Sequence, residues 1–379
     1  MQIEYIDTQP ALNNLCEALN QSALLAVDTE FVRTRTLFPK LGLLQVNDGK
    51  SIALIDPIAV EDLTPFWQIL SNENICKVLH ACSEDLEVFL NNTDEKPQNI
   101  VDTQIMMSFL GHGLSMGYAA MIKHFTDIEL DKSESRTDWT KRPLTEKQLT
   151  YAAADVDHLF NVFPKIQQAI EASGWLVAAQ QETQRLIDKK YTPVDDETLY
   201  KQIKFAWKLN PKQLNLLKAL AQWRYQQAKK RDLPIGFIAK DHTLVGVAKF
   251  NPKSINAMLQ IEGVEMLDVK HKGKAMLTVL KHAEELSEQQ YPDKIIRLDD
   301  YPGYKQAFKK VKNLVAKTSA SSGQSPENLA SKKQINQFLS WHYKHASAAE
   351  KALNVDVLQG WRADLMGEAL NQLSKANFQ

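Results

Sequence analysis

The sequence predicts an α/β domain, with a mixed β-sheet flanked by helices, followed by two small all-α domains. Short apolar runs of strand type fill the first hundred residues, and helical patterns follow. From about residue 210 the patterns are helical throughout, and polar breaks interrupt them. The 379 residues, 44% hydrophobic and 24% charged, are typical of a globular chain of two to three domains.

The strands of the first domain are predicted from short runs rich in branched apolar residues. The turn-forming Asn47-Asp48-Gly49 separates the second run from the third, so the first three runs are expected to form a meander. The predicted strands are Leu24–Glu30, Leu43–Val46, Ile52–Asp56, Lys77–His80 and Ile100–Asp102.

The helices are predicted from apolar residues at three- and four-residue spacing. Ser83 is the expected N-cap of a helix whose Leu86, Phe89 and Leu90 share one face. Further helical patterns cover 103–110, 116–125, 145–170 and 172–189.

The domain boundaries are predicted at the polar, proline-containing breaks. They give a first domain at 1–190, a linker at 191–209, a second domain at 210–290 and a third at 291–379. Residues 1–190 hold 27 acidic and 16 basic residues, whereas residues 201–290 hold 8 and 16. This asymmetry suggests an acidic catalytic part joined to a basic docking part.

Two features of the chain bear on its compartment. The N-terminal segment MQIEYIDTQPAL lacks the pattern of a signal peptide, and no run approaches the roughly 18 apolar residues of a membrane span. Cys16, Cys76 and Cys82 form no Cys-x-x-Cys pair, so neither a disulfide framework nor a thiolate zinc site is expected. A cytoplasmic protein without membrane contact is therefore expected.

Four acidic residues beside apolar runs, Asp28, Glu30, Asp85 and Asp155, are the candidate metal ligands. Burying a carboxylate is costly unless it is paired or binds a metal, and none of the four has an obvious Lys or Arg partner nearby in sequence. Asp28 and Glu30 project to the same face of a strand. Carboxylates of this kind suit Mg²⁺ or Mn²⁺.

Two such ions about 4 Å apart would clamp the attacking and leaving oxygens of a phosphodiester. Tyr151 lies one helical turn before Asp155 and is the candidate that orients water. Asp85 has an alternative explanation, because a carboxylate in the first turn of a helix is favoured by the dipole. Asp102 is interpreted as an N-cap and His80 as a packing residue.

Three motifs carry a family resemblance: Asp-x-Glu in LLAVDTEF, the Asp in HACSEDLEVF and Tyr-x-x-x-Asp in LTYAAADVDHL. They resemble the exonuclease motifs of the DEDD 3′–5′ exonucleases of the tyrosine subgroup, and the whole chain is similar to bacterial ribonuclease D. The histidine subgroup would need His at position 150, where this chain has Thr150.

The resemblance implies a ribonuclease H-like fold in which Asp28, Glu30, Asp85 and Asp155 hold two divalent ions and Tyr151 positions the nucleophilic water. It further implies an exoribonuclease that removes nucleotides one at a time, with a role in maturing tRNA 3′ ends. Two alternatives stay open: a 3′–5′ DNA exonuclease of repair or proofreading, and a non-catalytic RNA-binding protein. A monomer is expected, because the sequence has no long heptad pattern that would predict a coiled coil with a second chain.

Candidate nucleic-acid contacts fall in two segments. The segment at 136–143, RTDWTKRP, resembles an element of ribonuclease D, and the segment at 210–290 resembles the helical HRDC domain, as does 331–374 more faintly. Basic side chains suit phosphates and an aromatic ring suits base stacking. The candidates are Arg136, Trp139, Arg142, Arg224, Lys229, Lys230 and Arg231.

Overall fold

A computed structural model describes residues 2–131, 133–345 and 355–379. It divides into two compact units. The first comprises Met1–Val32, Pro39–Thr192 and Tyr301–Gln379, and the second comprises Arg33–Phe38 and Pro193–Asp300. Residues 346–354 of the predicted third domain lie outside the described residues.

The first unit contains one six-stranded sheet in the order β1-β4-β3-β2-β5-β6. Its strands are β1 (Gln2–Ile6), β2 (Leu24–Val32), β3 (Lys40–Asn47), β4 (Ser51–Ile55), β5 (Cys76–Leu79) and β6 (Ile100–Asp102). β3 pairs antiparallel with β2 and β4, while the other three pairings are parallel. The predicted mixed sheet and its β2-β3-β4 meander are confirmed.

The helices in the part of this unit before residue 193 mostly follow the predicted pattern. They are α1 (Gln9–Leu19), α2 (Thr64–Ser71), α3 (Asp85–Asn92), α4 (Thr103–Phe109), α5 (Tyr118–Thr126), α6 (Glu146–Ser173) and α7 (Leu176–Tyr191). The N-cap prediction for Ser83 was wrong, because the residue preceding α3 is Glu84. Asp102 does cap α4, and its carboxylate accepts the backbone N–H of Gln104 at 2.8 Å.

The sequence did not predict β1, α1 or α2. β1 is an edge strand in which only Ile6 is buried, so it lacks the apolar run of a central strand. α1 and α2 carry no side-chain N-cap hydrogen bond, although each has proline in its first turn. Their start signals were therefore weak.

α6 brings its N-terminal half against the sheet. Thr145 and Gln148 form a capping box at its start, and Gly174 ends it in the left-handed conformation at φ 77°. Ala152 and Ala153 are buried, and their small side chains allow close approach to the strands. This packing places the functional half of α6 beside β2.

The C-terminal segment contacts α4 and α7 within the same unit. They are α13 (Tyr304–Ser322), α14 (Pro326–Leu329), α15 (Lys332–His345), α16 (Gly360–Arg362) and α17 (Glu368–Lys375), with a π-helical turn at Ala363–Gly367. The Trp361 ring lies 5.1 Å from Phe109 and 5.9 Å from Trp175 between centroids, and its Nε1 donates to Glu182 at 2.9 Å.

The second unit is helical, as predicted. It contains α8 (Pro211–Arg231), α9 (Ile235–Ile238), α10 (Asp241–Phe250), α11 (Ile255–Leu259) and α12 (Met266–Ala283), preceded by 3₁₀ turns at Asp196–Gln202 and Ala206–Lys208. Leu214, Leu217 and Leu220 are fully buried, and Trp223 packs against this core. No helix in the described parts of the chain has the length and apolar character needed to cross a membrane.

Candidate active site

Asp28 and Glu30 lie on β2, after its buried apolar residues. The three residues before them, Leu25 to Val27, are buried, so β2 enters as a central strand covered on both faces. The pairing with β3 shifts register between Glu30 and Phe31, and such a bulge bends the strand and redirects its side chains. The two acids therefore stand on one strand face just before this irregularity.

Asp85 is the first residue of α3 and is 6% exposed. Its Oδ1 accepts a hydrogen bond from the hydroxyl of Thr29, the residue between Asp28 and Glu30. Burial and the nearby charge of Asp28 raise the pKa of Asp85 to about 8, and the Thr29 hydrogen bond opposes that shift. A carboxyl in this position resists ionisation unless a cation compensates for it.

Asp155 lies on α6 and is 9% exposed. Burial raises the pKa of Asp155 to about 7, while a hydrogen bond with Tyr151 acts to lower it. The Tyr118 hydroxyl donates to the backbone oxygen of Asp155, which fixes this turn of α6 against α5. Burial and the charge of Asp155 raise the pKa of Tyr151, so its hydroxyl stays protonated at neutral pH.

Glu30 on β2 has the most strongly raised pKa of the four acids, and the pKa of Asp28 is raised as far as that of Asp85. Burial, followed by the charge of Asp155, raises the pKa of Asp28 to about 8. Burial and then the charges of Asp28, Asp155 and Asp85 raise the pKa of Glu30 to about 10. The charge of a neighbouring acid of the set thus raises the pKa of Asp28, Glu30 and Asp85, whereas burial raises that of Asp155, and no Lys or Arg contributes to any of these four shifts.

The donor chemistry of this cluster fits a divalent cation. Carboxylate oxygens are the ligands that Mg²⁺ and Mn²⁺ prefer, and a cation would offset the burial that raises all four pKa values and the repulsion that adds to it at Asp28, Glu30 and Asp85. Over the described residues, however, no three His, Cys, Asp or Glu side chains are gathered tightly enough to form a ready-made metal site. The charge of Asp155 affects the pKa of both Asp28 and Glu30, but the carboxylates are not close enough together to form a complete set of ligands.

A cavity of about 340 Å³ opens beside Tyr151 and Asp155. It is within the range of small-molecule sites, and therefore of the size needed for a nucleotide. Among the residues that the structure describes, Lys147 is the one basic residue lining it. The cavity is lined by Leu130, Asp131, Ser133, Glu134, Glu146, Lys147, Thr150, Tyr151, Ala154 and Asp155.

Two of the expected nucleic-acid contacts in the 136–143 segment are structural in this fold. Trp139 is 1% exposed and packs 6.1 Å from the ring of Tyr151, so its indole has no free face for a base. Arg142 binds Asp56 through Nε and Nη2, both at 2.6 Å, and donates from Nη2 to the carbonyl of Gly42 at 2.7 Å. Of the three candidates here, Arg136 alone is exposed.

A similar correction applies in the second unit. Arg224 is 8% exposed, and its Nη1 donates to the Ala239 carbonyl at 3.0 Å and to Asp241 at 2.8 Å. A buried guanidinium with these partners holds the α9–α10 junction and is not available to phosphate. The remaining basic candidates, Lys229, Lys230 and Arg231, are exposed at the end of α8.

Sequence reasoning missed Thr29 and Tyr118, which hold Asp85 and the Asp155 backbone. Tyr118 is 37 residues from Asp155, and no local pattern links the two. His80 was expected to be a packing residue. Its ring nitrogens contact Thr103 Oγ1 at 2.9 Å and the Met116 carbonyl at 3.0 Å, which confirms that expectation.

Comparison with known proteins yields family models for three segments of the chain. A model described as a 3′–5′ exonuclease matches residues 3–171. An HRDC domain model matches residues 213–280, and a model of the C-terminal HRDC domain of ribonuclease D matches residues 302–370.

Relatives match over nearly the full chain. Ribonuclease D of Escherichia coli is 43% identical over 373 residues, covering 98% of each protein. Ribonuclease D of Cronobacter turicensis is 42% identical over 368 residues, covering 97% of this chain and 99% of the relative. The crystal structure of Escherichia coli RNase D, described as an exoribonuclease involved in structured RNA processing, superposes with a TM-score of 0.95 at 42% identity, covering 100% of both chains.

Proposed function

The chain belongs to the ribonuclease D family and is a 3′–5′ exoribonuclease, and from this premise we propose how its residues perform the reaction and on which RNA. The family depends on divalent metal. We propose that Asp28, Glu30, Asp85 and Asp155 hold two divalent ions, Mg²⁺ or Mn²⁺. The observation that carries this proposal is the raised pKa of all four carboxyl groups on β2, α3 and α6, to which the charge of Asp155 contributes at Asp28 and Glu30.

Divalent ions in this position would activate water and stabilise charge on the attacking and leaving oxygens of the phosphodiester. The protein supplies the ligands from three different elements, so the cluster depends on the packing of α3 and α6 on β2. Hydrolysis at the 3′ end would then release a nucleoside 5′-monophosphate at each step.

Tyr151 is proposed to orient the attacking water. Its hydroxyl hydrogen-bonds with Asp155, and its raised pKa keeps the proton on the phenol at neutral pH. It therefore positions water by hydrogen bonding and does not act as a base. The adjoining cavity of about 340 Å³ is proposed to receive the terminal nucleotide, with Lys147 available to a phosphate.

We propose tRNA precursors and other structured RNAs with 3′ tails as substrates, with Arg136, Lys229, Lys230 and Arg231 among the backbone contacts. The structured-RNA processing named for the Escherichia coli protein supports this. We keep the proposed domain limits of 1–190, 210–290 and 291–379, with a linker at 191–209 between the first two domains. We also propose that the protein is a monomer and acts in the cytoplasm. A DNA exonuclease is the weaker candidate, because the full-length relatives named above are ribonucleases.

A tRNA carrying extra 3′ nucleotides tests the substrate proposal. With Mg²⁺, the purified protein should shorten the tail one nucleotide at a time and stop near the acceptor stem, and EDTA should prevent it. An unstructured RNA and a DNA strand, each of equal length, are the controls. Cleavage of the DNA at a rate similar to that of the tailed tRNA would contradict the proposal. Shortening of the unstructured RNA at the same rate as the tRNA tail would contradict it as well.

A further inference from the structure

Phe205 is an exposed aromatic residue in a segment that no family model covers. It follows the 3₁₀ turn at Asp196–Gln202 and precedes the turn at Ala206–Lys208. Its side chain is 44% exposed, whereas Ile203 and Ala206 on either side are 5% and 1% exposed. The neighbours are thus anchored in the core of the second unit while the ring points outward.

The backbone of Phe205 adopts φ 72° and ψ 7°, in the left-handed region. This conformation is disfavoured for a bulky residue and is usually left to glycine or asparagine. The turn persists because Ala206 donates to the Ile203 carbonyl at 3.1 Å and Lys208 donates to the Phe205 carbonyl at 3.0 Å. A glycine would fit this backbone with less strain, so packing alone does not explain the phenylalanine.

Two lysines flank the ring. The Lys204 ammonium lies 5.2 Å and the Lys208 ammonium 4.8 Å from the ring centre. From Thr198 to Asn210 the chain has three lysines and no acidic residue. The acid that approaches this turn, Asp241, accepts the Lys204 backbone N–H at 3.5 Å and is paired with buried Arg224 at 2.8 Å. Positive charge around the ring is therefore not cancelled by Asp241.

We propose that Phe205 is a stacking platform for a base of single-stranded RNA, with Lys204 and Lys208 binding the phosphates on either side of that base. This inference rests on the proposed action on RNA 3′ tails. An exposed ring between two exposed lysines matches a nucleotide strand, in which aromatic bases alternate with anionic phosphates. On binding, each ammonium leaves the ring for a phosphate and the base takes the exposed ring face.

Binding of single-stranded RNA to Phe205→Gly tests the proposal. Glycine removes the ring and suits the left-handed backbone, so the melting temperature should be kept or raised. The probe is a fluorescein-labelled RNA of about 16 adenosines, measured by anisotropy in an Asp155→Asn background to prevent cleavage. The dissociation constant should rise by about 5-fold or more. Phe205→Trp should retain wild-type affinity.

Phe250→Ala is the matched control. Phe250 is 60% exposed with the Lys249 ammonium 5.1 Å from its ring centre, and no second lysine of the described residues lies over that ring. Its loss should leave RNA affinity unchanged. The double variant Lys204→Ala, Lys208→Ala should reduce the slope of log affinity against log salt by about 1.4, since each phosphate contact in a single strand contributes about 0.7.

In the active enzyme, Phe205→Gly should raise KM for RNA and leave kcat unchanged, because a stacking residue acts on binding. Unchanged RNA affinity in Phe205→Gly would overturn the proposal, as would an equal loss in Phe250→Ala or a fall in melting temperature that marks the ring as a packing group. If the wild type binds the RNA but does not shorten tailed tRNA, the proposed substrate fails separately from this inference.

Discussion

Asp155→Asn is expected to lower kcat for RNA hydrolysis by at least about 10³-fold while leaving the metal-free protein as stable as the wild type or more so. Asparagine keeps the shape of the side chain but lacks the negative charge that a divalent ion requires. Without metal, the same charge repels Asp28 and Glu30, so its loss relieves the buried cluster. The substitution should therefore separate activity from stability.

The measurement is single-turnover shortening of a 5′-labelled RNA, together with thermal unfolding in EDTA. Asp157→Asn is the matched control on the same helix, because Asp157 accepts a hydrogen bond from Asn161 at 3.1 Å and is outside the cluster. It should retain nearly full activity. An Asp155→Asn protein that still hydrolyses RNA, or whose loss of activity accompanies unfolding, would contradict the assignment.

The stability of the metal-free protein is expected to fall as pH rises from about 5 to 8. Unfolded carboxyl groups titrate near pH 4, whereas the pKa values of Asp155, Asp28 and Asp85 in the folded protein are about 7, 8 and 8. In this window the folded state holds protons that the unfolded state has lost. Stability contributed by those protons is complete below about pH 4 and is lost as pH rises through the folded pKa values, at about 1.4 kcal/mol per pH unit for each proton held.

Divalent metal should reverse this trend, because metal binds the deprotonated carboxylates and affinity rises with pH. Melting temperatures in EDTA and in saturating Mn²⁺ should therefore diverge between about pH 5 and 8. A double variant, Asp28→Asn with Asp155→Asn, provides the reference that removes contributions of other titrating groups. If the wild type and this variant lose stability in parallel in EDTA, the four acids do not form a coupled cluster.

Much of the site could be predicted because its signals lie in short segments of the sequence. The apolar run before Asp28 predicts a strand covered on both faces, and the alanines around Asp155 predict a helix that approaches a sheet. The spacing of two on a strand and four on a helix then indicates which side chains share a face. None of these inferences depends on distant partners.

The errors concern residues whose partners are far away in sequence. Arg142 has the composition of a phosphate contact, but Asp56, 86 residues earlier, engages its guanidinium. Arg224 is similarly held by Asp241 and the Ala239 carbonyl. The sequence shows that a residue is basic, but it does not show which distant acidic residue pairs with it. The burial of a basic side chain therefore cannot be inferred from composition alone.

The packing of the C-terminal segment also depends on contacts between residues that are distant in sequence. Its predicted domain begins at 291, whereas residues Tyr301–Gln379 cluster with the nuclease part as one compact unit. The contact depends on Trp361 against Phe109 and Trp175, and on Arg362, whose Nη1 binds Glu182. In the sequence, Trp361 and Arg362 are adjacent residues in a helical pattern, and this pattern does not indicate which residues they contact.

The most direct test of the metal cluster is anomalous diffraction from crystals of the protein soaked in Mn²⁺. The account predicts manganese peaks bounded by Asp28, Glu30, Asp85 and Asp155, with two ions in the wild type and at least one lost in Asp155→Asn. Manganese bound elsewhere, or wild-type crystals of an active protein with no ion at these four carboxylates, would contradict the assignment of the catalytic centre.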